Sequence, residues 1–207
     1  MASGRHPYFS TAGWPPFAVL VAAAIAVWHY AGAAWSAPLW LGCLLIIYLF
    51  RDPEREVPSS PLAVVSPADG VVTVVEETRD PYLDRPAWRL VIDMHPYGVY
   101  STRAPVEARV HEMRGAGDDR PHGVWLRTDE GDDLVVVMHR GPLHNAPRCD
   151  VRIGERVGQG QRCGFIGLGG RVEVYLPAVS RIETRPGSRV RAGSDVIATL
   201  IHAQAES

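Results

Sequence analysis

The chain has 207 residues, a length that suits one soluble domain with a membrane segment, since a domain typically takes ~100–200 residues. Its 21 basic and 23 acidic residues nearly balance, which argues against a nucleic-acid partner because such domains usually carry a basic face. All 21 of the Lys and Arg residues are arginine, so the chain has no lysine that could form a Schiff base or carry biotin or lipoate.

The first fifth of the chain predicts a membrane anchor. Residues 17–50 are almost uncharged, and Phe17–Trp35 is an apolar run of about the ~20 residues that a spanning helix needs. Pro38 interrupts the pattern, and Leu39–Phe50 forms a second, shorter run. No small-residue cleavage site follows the first run, so a cleaved signal peptide is not indicated. The predicted organisation is a cytoplasmic tail (1–12), a membrane anchor (13–50) and a β domain (51–207).

Two topologies fit this anchor. In one, a helical hairpin turns around Gly32–Pro38; in the other, a single span is followed by a re-entrant or interfacial piece. Arg5 precedes the apolar runs and Arg51 and Arg55 follow them, whereas the turn is uncharged. Because cytoplasmic flanks carry an excess of basic residues, both ends are expected in the cytoplasm.

Beyond residue 60 the sequence predicts mainly β structure. Short Val/Ile-rich runs alternate with Gly, Pro and Asp, as is typical of the strands of a sandwich or barrel. The clearest runs are Gly70–Glu76, Trp88–Met94, Leu134–Met138, Val172–Leu176 and Val196–Ile201.

An internal repeat narrows the architecture. Gly154, Val157, Gly160 and Cys163 recur at a constant offset as Gly187, Val190, Gly193 and Val196. The pattern resembles the hammerhead turns of lipoyl-like barrel-sandwich hybrids, with glycines where φ is positive and the valine packed inward. A second echo pairs residues 66–70 with 104–108, each leading into a strand. The expected fold is therefore mainly β, a lipoyl-like barrel-sandwich hybrid preceded by a transmembrane helical hairpin.

The cysteines and histidines predict no metal site. Cys43, Cys149 and Cys163 are scattered without CxxC spacing, so free thiols in a reducing compartment are expected. The histidines at 111, 122, 139 and 144 form no recognised ligand pattern such as HExxH.

Several segments together resemble the short, membrane-anchored phosphatidylserine decarboxylases of bacteria over nearly the whole chain. The matching pieces, in order, are Gly13-Trp-Pro, the apolar runs, Phe50-Arg-Asp-Pro-Glu-Arg55, Ser66-Pro-Ala-Asp-Gly70, Arg103-Ala-Pro105, Gly160-Gln-Arg-Cys-Gly-Phe-Ile166 and Arg171-Val-Glu-Val-Tyr-Leu-Pro177. The resemblance implies a bacterial inner-membrane protein of phospholipid metabolism whose soluble domain faces the cytoplasm.

The same resemblance implies a self-cleaving Gly-Ser bond whose serine becomes a pyruvoyl group, the electron sink of the carboxy-lyase reaction. Gly169 occupies the upstream side of that bond and Gly170 the place of the serine, so the pyruvoyl cofactor cannot form there. Asp69 matches the acidic member of the family's Asp-His-Ser triad, and Tyr100 occupies the place of its histidine. His95 is a weak substitute for that histidine. Arg103, in the Arg-x-Pro motif, is a candidate substrate-binding residue, and His95 is a weaker candidate for the same role. Ordinary turn chemistry, in which the carboxylate caps a backbone amide, is the favoured role of Asp69.

Two further points concern the site. The family's longer Asn/Lys/Glu-rich loop, which helps shape its headgroup site, is too long for the segment Met113–His122. Cys163 could act as a nucleophile, but core packing is the better interpretation because the repeat places Val196 at the matching position.

Three hypotheses follow from these features. The leading one is a non-self-processing pseudoenzyme that binds a membrane phospholipid or regulates an active decarboxylase. The second is an active decarboxylase that makes phosphatidylethanolamine through a non-standard site, and the third is a structural or assembly protein of the inner membrane. A homodimer is also considered.

Overall fold

The computed structural model describes residues 9–60, 62–115, 121–141 and 146–201, and it divides into two compact units, residues 1–54 and 55–207. The first unit contains a short 3-10 turn, Thr11–Gly13, and two helices, α1 (Trp14–Ala31) and α2 (Ala33–Leu49).

The two helices meet at Gly32. Its φ of +92° is a conformation that L side chains rarely adopt, and its N–H donates to Trp28 O at 3.1 Å to end α1. Gly42 of α2 faces Leu20 of α1 so closely that an added methyl would lie 2.9 Å from Leu20 Cδ2. The small residue therefore lets the two helices pack against each other.

The expected turn over Gly32–Pro38 is too long. Pro38 lies inside α2, where its missing N–H costs one helical hydrogen bond without ending the helix. Near the start of the same helix, Ser36 Oγ donates to the carbonyl oxygen of Ala33 at 2.9 Å. The break in the apolar pattern at Pro38 was therefore a misleading signal for a helix boundary.

In the described part of the chain, α1 is the helix that is long and apolar enough to cross a membrane, with a mean hydropathy of 1.4 over 18 residues. Helix α2 is apolar throughout and one residue shorter. Crossing by both helices stays a prediction.

The second unit consists of short and long strands. They are β1 (Ala63–Val65), β2 (Gly70–Asp80), β3 (Arg85–Met94), β4 (Ser101–Arg103), β5 (Ala108–Arg114), β6 (His122–Arg127), β7 (Asp133–Met138), β8 (Arg148–Cys149), β9 (Arg156–Val157), β10 (Arg162–Phe165), β11 (Arg171–Pro177), β12 (Arg181–Ile182), β13 (Arg189–Val190) and β14 (Val196–Thr199).

These strands form one large sheet and two small ones. The large sheet has the order β13-β2-β3-β11-β7-β6-β5-β9, and the small sheets have the orders β1-β14-β12 and β4-β10-β8. The five predicted strands fall on β2, β3, β7, β11 and β14, although β14 ends before Ile201. A mainly β domain is thus confirmed, whereas its assignment as a lipoyl-like barrel-sandwich hybrid stays a prediction.

One face of the large sheet covers the main core. On β11, Val172, Val174 and Leu176 point into it and are fully buried, whereas Glu173 and Tyr175 point to the opposite face. Burying each such aliphatic side chain contributes about 1.5–3 kcal/mol, so the alternating pattern fixes the register of this strand.

The predicted repeat is confirmed by backbone geometry. The repeat glycines 154, 160, 187 and 193 all have positive φ, between 72° and 91°, and Val157 and Val190 are both buried. Corresponding hydrogen bonds recur in the two halves: Gly160 N donates to Ala104 O, and Gly193 N donates to Ser66 O.

A reciprocal pair of bonds crosses between the halves. Val65 N donates to Pro105 O at 2.9 Å and Arg103 N donates to Pro67 O at 2.8 Å, so segments 66–70 and 104–108 pack as related partners. Each segment leads directly into a strand, β2 and β5 respectively, as expected. This pairing places Asp69 at the start of β2.

Candidate functional site at the head of strand β11

Three neighbouring strands bring the sequence-predicted site residues to one end of the large sheet. Gly70, next to Asp69, pairs with Met94 at the end of β3, and Met94 N donates to Gly170 O at 2.8 Å. Because Gly70, Met94 and Gly170 are neighbours across the strands, this end of the sheet is called the Gly170 end. The motifs that contain Asp69 and Gly170 therefore lie at the same end of the sheet.

The turn before β11 has an unusual backbone. Leu168 and Gly169 both have positive φ, 59° and 77°, and the first is a residue that adopts this region only at a cost. The carbonyl oxygens of Gly167 and Gly169 lie against the Cα of Gly141, where any added methyl would overlap them. Because Gly141 has no side chain, the peptide between Gly169 and Gly170 can lie this close to its backbone.

The position of Gly170 is tightly packed. A Cβ atom there would lie 2.8 Å from Ile166 Cγ2 and 3.1 Å from His139 O. Real Cβ atoms essentially never come within 3.0 Å of a heavy atom, so Ile166 would have to move to admit even a serine. The Ile166 side chain and the His139 carbonyl therefore crowd the place of a Cβ atom at this position.

Tyr100 is buried, and its side chain contacts neighbouring parts of the fold. It is 1% exposed, its hydroxyl donates to Pro96 O, and its ring meets Phe165 edge-on with centroids 5.9 Å apart. Ile166 N donates to Tyr100 O at 2.9 Å, so Tyr100 is hydrogen-bonded to the residue whose side chain lies against the Cβ position of Gly170.

Asp69 has structural partners. Its Oδ1 accepts from Ala192 N at 2.7 Å, and its Oδ2 pairs with Arg55 Nη2 at 2.7 Å, with both side chains less than a fifth exposed. The Asp69 carboxylate thus binds a backbone amide, as expected, but that amide is 123 positions away along the chain and does not belong to the Asp-Gly turn itself. The partner Arg55 was not predicted, although its place in the Phe50–Arg55 motif was a signal.

Arg103 is buried between the two repeats. It is 5% exposed, its Nη1 donates to Gly160 O at 3.1 Å, and burial lowers the pKa of its guanidinium. Gly193 lies so close to the Arg103 side chain that an added methyl would be 2.8 Å from its Cδ. These contacts give Arg103 a structural role between the two repeats. Its role in substrate binding stays a prediction.

His95 lies at the surface, whereas Cys163 lies against the main core. His95 is exposed, and its carbonyl oxygen lies 3.3 Å from the Cβ position of Gly169. The Cys163 thiol packs against the main core, and burial raises its pKa to about 12. Since the thiolate is the reactive form, the expectation of core packing for Cys163 agrees with this environment.

A polar network that no sequence motif indicated begins three residues after Gly170. Glu173, 5% exposed, accepts from Arg89 at 2.8 and 3.2 Å and from the Tyr175 hydroxyl at 2.8 Å, and His139 Nε2 lies 3.0 Å away. Glu173 and Tyr175 alternate with buried valines, which was the available signal that they share the other face of the sheet.

This network determines the charge of Glu173. Burial acts to raise the pKa of its carboxyl, but hydrogen bonds from His139, Arg89 and Tyr175 outweigh burial and hold the pKa well below its ordinary value. The bond to Glu173 also raises the pKa of Arg89, while burial and the same carboxylate raise that of Tyr175. The network is therefore a charged cluster centred on the Glu173 carboxylate.

The described residues contain no group of three or more His, Cys, Asp or Glu side chains that could hold a metal ion. His144 lies outside them, as do residues 116–120 of the short segment Met113–His122. The described flanks of that segment are the end of β5 at Arg114 and the start of β6 at His122.

Comparison with known proteins agrees with the sequence motifs at this end of the sheet. The profile of the phosphatidylserine decarboxylase family matches residues 44–198. The chain belongs to this family. Similar proteins include the phosphatidylserine decarboxylase proenzyme of Nitrosomonas eutropha, 35% identical over 93% of this chain and 95% of the relative, and that of Aromatoleum aromaticum, 35% identical over 94% and 97%.

Among solved structures, the glucose permease IIA from Mycoplasma capricolum matches with a TM-score of 0.45 and 19% identity, covering 66% of this chain and 94% of that chain.

The pyruvoyl group that the family resemblance implies would have to form at position 170. Its formation needs a β-hydroxyl or thiol, and Gly170 has neither. The residues at this position do not fit the group.

Proposed function

We propose that this chain is a non-self-processing member of the phosphatidylserine decarboxylase family, anchored in the bacterial inner membrane, that holds a phospholipid headgroup without turning it over. The observation that carries the proposal is Gly170. Without a side chain, the residue cannot attack the Gly169 carbonyl, and the packing of Ile166 and His139 fills the place of the missing group.

The other triad positions support the same conclusion. A phenol, with an ordinary pKa near ~10, is a weak base at neutral pH. The Tyr100 hydroxyl is moreover buried and donates to Pro96 O, which orients it as part of the scaffold. The Asp69 carboxylate is bound to Arg55 and to Ala192 N. Each member of the family's triad thus has a structural role or no side chain.

The scaffold features support retention of a membrane role. The family match extends over most of the chain, and α1 is long and apolar enough to cross a bilayer. We place the β unit on the cytoplasmic side because Arg51 and Arg55 follow the helices. Association with an active decarboxylase, and a homodimer, stay predictions.

The test is the covalent state of the purified full-length protein. We expect one intact chain of 22.7 kDa by mass spectrometry, with no hydroxylamine-reactive carbonyl. In vesicles that contain phosphatidylserine, we expect the lipid to bind without formation of phosphatidylethanolamine. A chain broken between Gly169 and Gly170, or phosphatidylethanolamine produced by the protein alone, would establish the active-enzyme alternative instead.

A matched pair of variants isolates the chemistry. Gly170→Ser restores the hydroxyl, and we expect it to remain uncut because Tyr100 cannot act as the base. Combining Gly170→Ser with Tyr100→His restores both groups, so cleavage of the double variant alone would show that these two residues block processing. Cleavage of Gly170→Ser by itself would show that Tyr100 is no obstacle.

A further inference from the structure

One exposed element adjoins the candidate site and has no part in the chemistry above. The chain between β3 and β4 makes a turn over His95, Pro96, Tyr97 and Gly98, called the 95–98 turn. His95, Pro96 and Tyr97 are all exposed, and the Tyr97 side chain, at 63%, is among the most exposed aromatic groups of the β unit.

The 95–98 turn is internally ordered. Gly98 N donates to His95 O at 2.9 Å, Tyr97 N donates to His95 Nδ1 at 3.3 Å, and the His95 and Tyr97 rings lie 5.8 Å apart. The hydroxyl of the buried Tyr100 also donates a hydrogen bond to Pro96 O, which belongs to the turn. A fixed turn loses little conformational entropy when it presents an aromatic ring to a partner.

The turn lies beside the Gly169–Gly170 peptide. Met94, which precedes it, donates to Gly170 O, and the carbonyl oxygens of Met94 and His95 lie 3.1 and 3.3 Å from the Cβ position of Gly169. A molecule that contacts Tyr97 is therefore also close to the Gly170 end of the sheet.

The chain enters the β unit at the same end. Arg55, its first residue, pairs with Asp69, and the adjacent Gly70 pairs with Met94. Arg55 follows closely after Leu49, the last residue of α2, and the roughly six residue steps between them span at most about 20 Å when extended. By chain length alone, a bilayer that holds the apolar helices lies within reach of this end.

We propose that the 95–98 turn is a lipid-contact surface, with Tyr97 lying in the headgroup region of the bilayer. Tyrosine suits that region because its ring is apolar and its hydroxyl is polar. The nearby charged pair, Arg171 and Asp93, joined at 2.8 Å, adds no net charge, so the contact is expected with neutral phosphatidylcholine as well. The proposal rests on the membrane anchoring proposed above.

The experiment compares two single-tryptophan additions in the full-length chain. Tyr97→Trp probes the turn, and Ile153→Trp is the control because Ile153 is also 63% exposed. The next residue, Gly154, donates to Val110 O, and Val110 pairs with Leu126 and Leu126 with Leu134. By the register of β7 with β11, Leu134 falls opposite Leu176, so this row of residues lies about 20 Å along the strands from Gly170, at ~3.4 Å per residue.

Each variant is reconstituted in vesicles of phosphatidylcholine brominated near the glycerol backbone, and the parent signal of six native tryptophans is subtracted. We expect the added fluorescence to be quenched at least threefold more at position 97 than at position 153, at both low and high salt. Equal quenching at the two positions would overturn the proposal, and so would strong quenching only in the presence of a second protein.

Flotation of the same samples separates the two proposals. If the chain fails to float with vesicles, the membrane anchoring of the proposed function is wrong. If it floats and the tryptophan introduced at position 97 is quenched no more than the one introduced at position 153, the anchoring stands and the lipid contact of the 95–98 turn is wrong. Far-ultraviolet circular dichroism identical to that of the parent verifies that both exposed substitutions leave the fold intact.

Discussion

The turn that leads into strand β11 and the strand itself differ in what their side chains do. At the head of the strand, Gly169 and Gly170 have no side chains and are enclosed by backbone carbonyls and by Ile166. Further along, Glu173 and Tyr175 take part in a dense network with His139 and Arg89. Within a few residues the chain thus passes from two positions without side chains to a charged cluster.

The difference shows which interactions the fold itself requires. A buried carboxylate is costly without partners, and every donor around Glu173 serves to keep it ionised and attached to its neighbours. The Gly170 position makes no comparable demand, because the sheet closes around it through main-chain bonds. Loss of the reactive side chain is therefore compatible with retention of the scaffold.

The largest effect is expected for Glu173→Gln. The variant leaves the half-buried Arg89 without its buried counter-charge, and we expect a loss of about 2–4 kcal/mol in the free energy of unfolding. At ~2–4 °C per kcal/mol this lowers the Tm by roughly 4–16 °C. Glu76→Gln is the matched control, since Glu76 also pairs with Arg89 but is 47% exposed; we expect about 0–1 kcal/mol. Equal effects of the two changes would contradict a structural role specific to Glu173.

The same carboxylate predicts a pH dependence. Because its pKa in the folded protein is below the ordinary value of 4.5, the unfolded chain takes up the proton first as the pH falls. The contribution of Glu173 is therefore complete well above pH 4.5 and decreases progressively below it. Thermal unfolding from about pH 7 to about pH 3 should show a shallower loss of stability in Glu173→Gln than in the parent. Parallel profiles would rule out this origin.

Gly141→Ala should have the next largest effect. Its methyl group would overlap the carbonyl oxygens of Gly167 and Gly169, and neither belongs to a flexible side chain that could move aside. Such overpacking typically costs about 1–3 kcal/mol. In Gly158→Ala the nearest atom to the new methyl is Gln161 Oε1 at 3.7 Å, so unfolding in denaturant should change little. A neutral Gly141→Ala would show that the turn before β11 can shift freely.

The sequence was sufficient for those parts of the fold that local patterns determine. The repeat glycines predicted positive φ correctly because only that conformation makes glycine necessary at a fixed spacing. The valine-rich runs located five strands because alternation and β-branching act within one segment. The boundary at Pro38 was wrong, since a helix tolerates a proline when packing outweighs one lost bond.

The candidate site could be assembled only partly. Motif order indicated that Asp69, Tyr100 and Gly170 belong together, and the sheet register brings Gly70, next to Asp69, and Gly170 to opposite sides of Met94 on β3. The network of Glu173 could not be predicted, because Arg89 lies 84 positions away and meets it only through the pairing of β3 with β11. Contacts of this kind depend on strand order, which no local pattern specifies.

Asp69 tests the scaffold role of a residue at a catalytic position of the family. Asp69→Ala removes both the Arg55 pair and the bond from Ala192 N, and we expect a loss of about 1–2 kcal/mol. Asp69→Asn keeps an oxygen for Ala192 N and should cost about half as much. Asp84→Asn, which disrupts a largely exposed pair with Arg79, should be nearly neutral. If chemical denaturation ranked Asp69→Asn with the exposed control, the capping bond alone would account for the residue.

The smallest expected effect, at Tyr100, decides whether the residue at the family's histidine position supports the 95–98 turn. Tyr100→Phe keeps the ring against Phe165 but removes the donor to Pro96 O, a change worth about 1 kcal/mol. Because the loss is local, hydrogen exchange at the Gly98 amide should accelerate about fivefold, the factor that ~1 kcal/mol corresponds to, while exchange in β7 stays unchanged. Tyr97→Phe is the matched control, since it removes a neighbouring exposed hydroxyl and should leave exchange at Gly98 as it is. Unaltered exchange in Tyr100→Phe would mean that the bonds within the turn suffice to hold it, and Tyr100 would then have only its packing role.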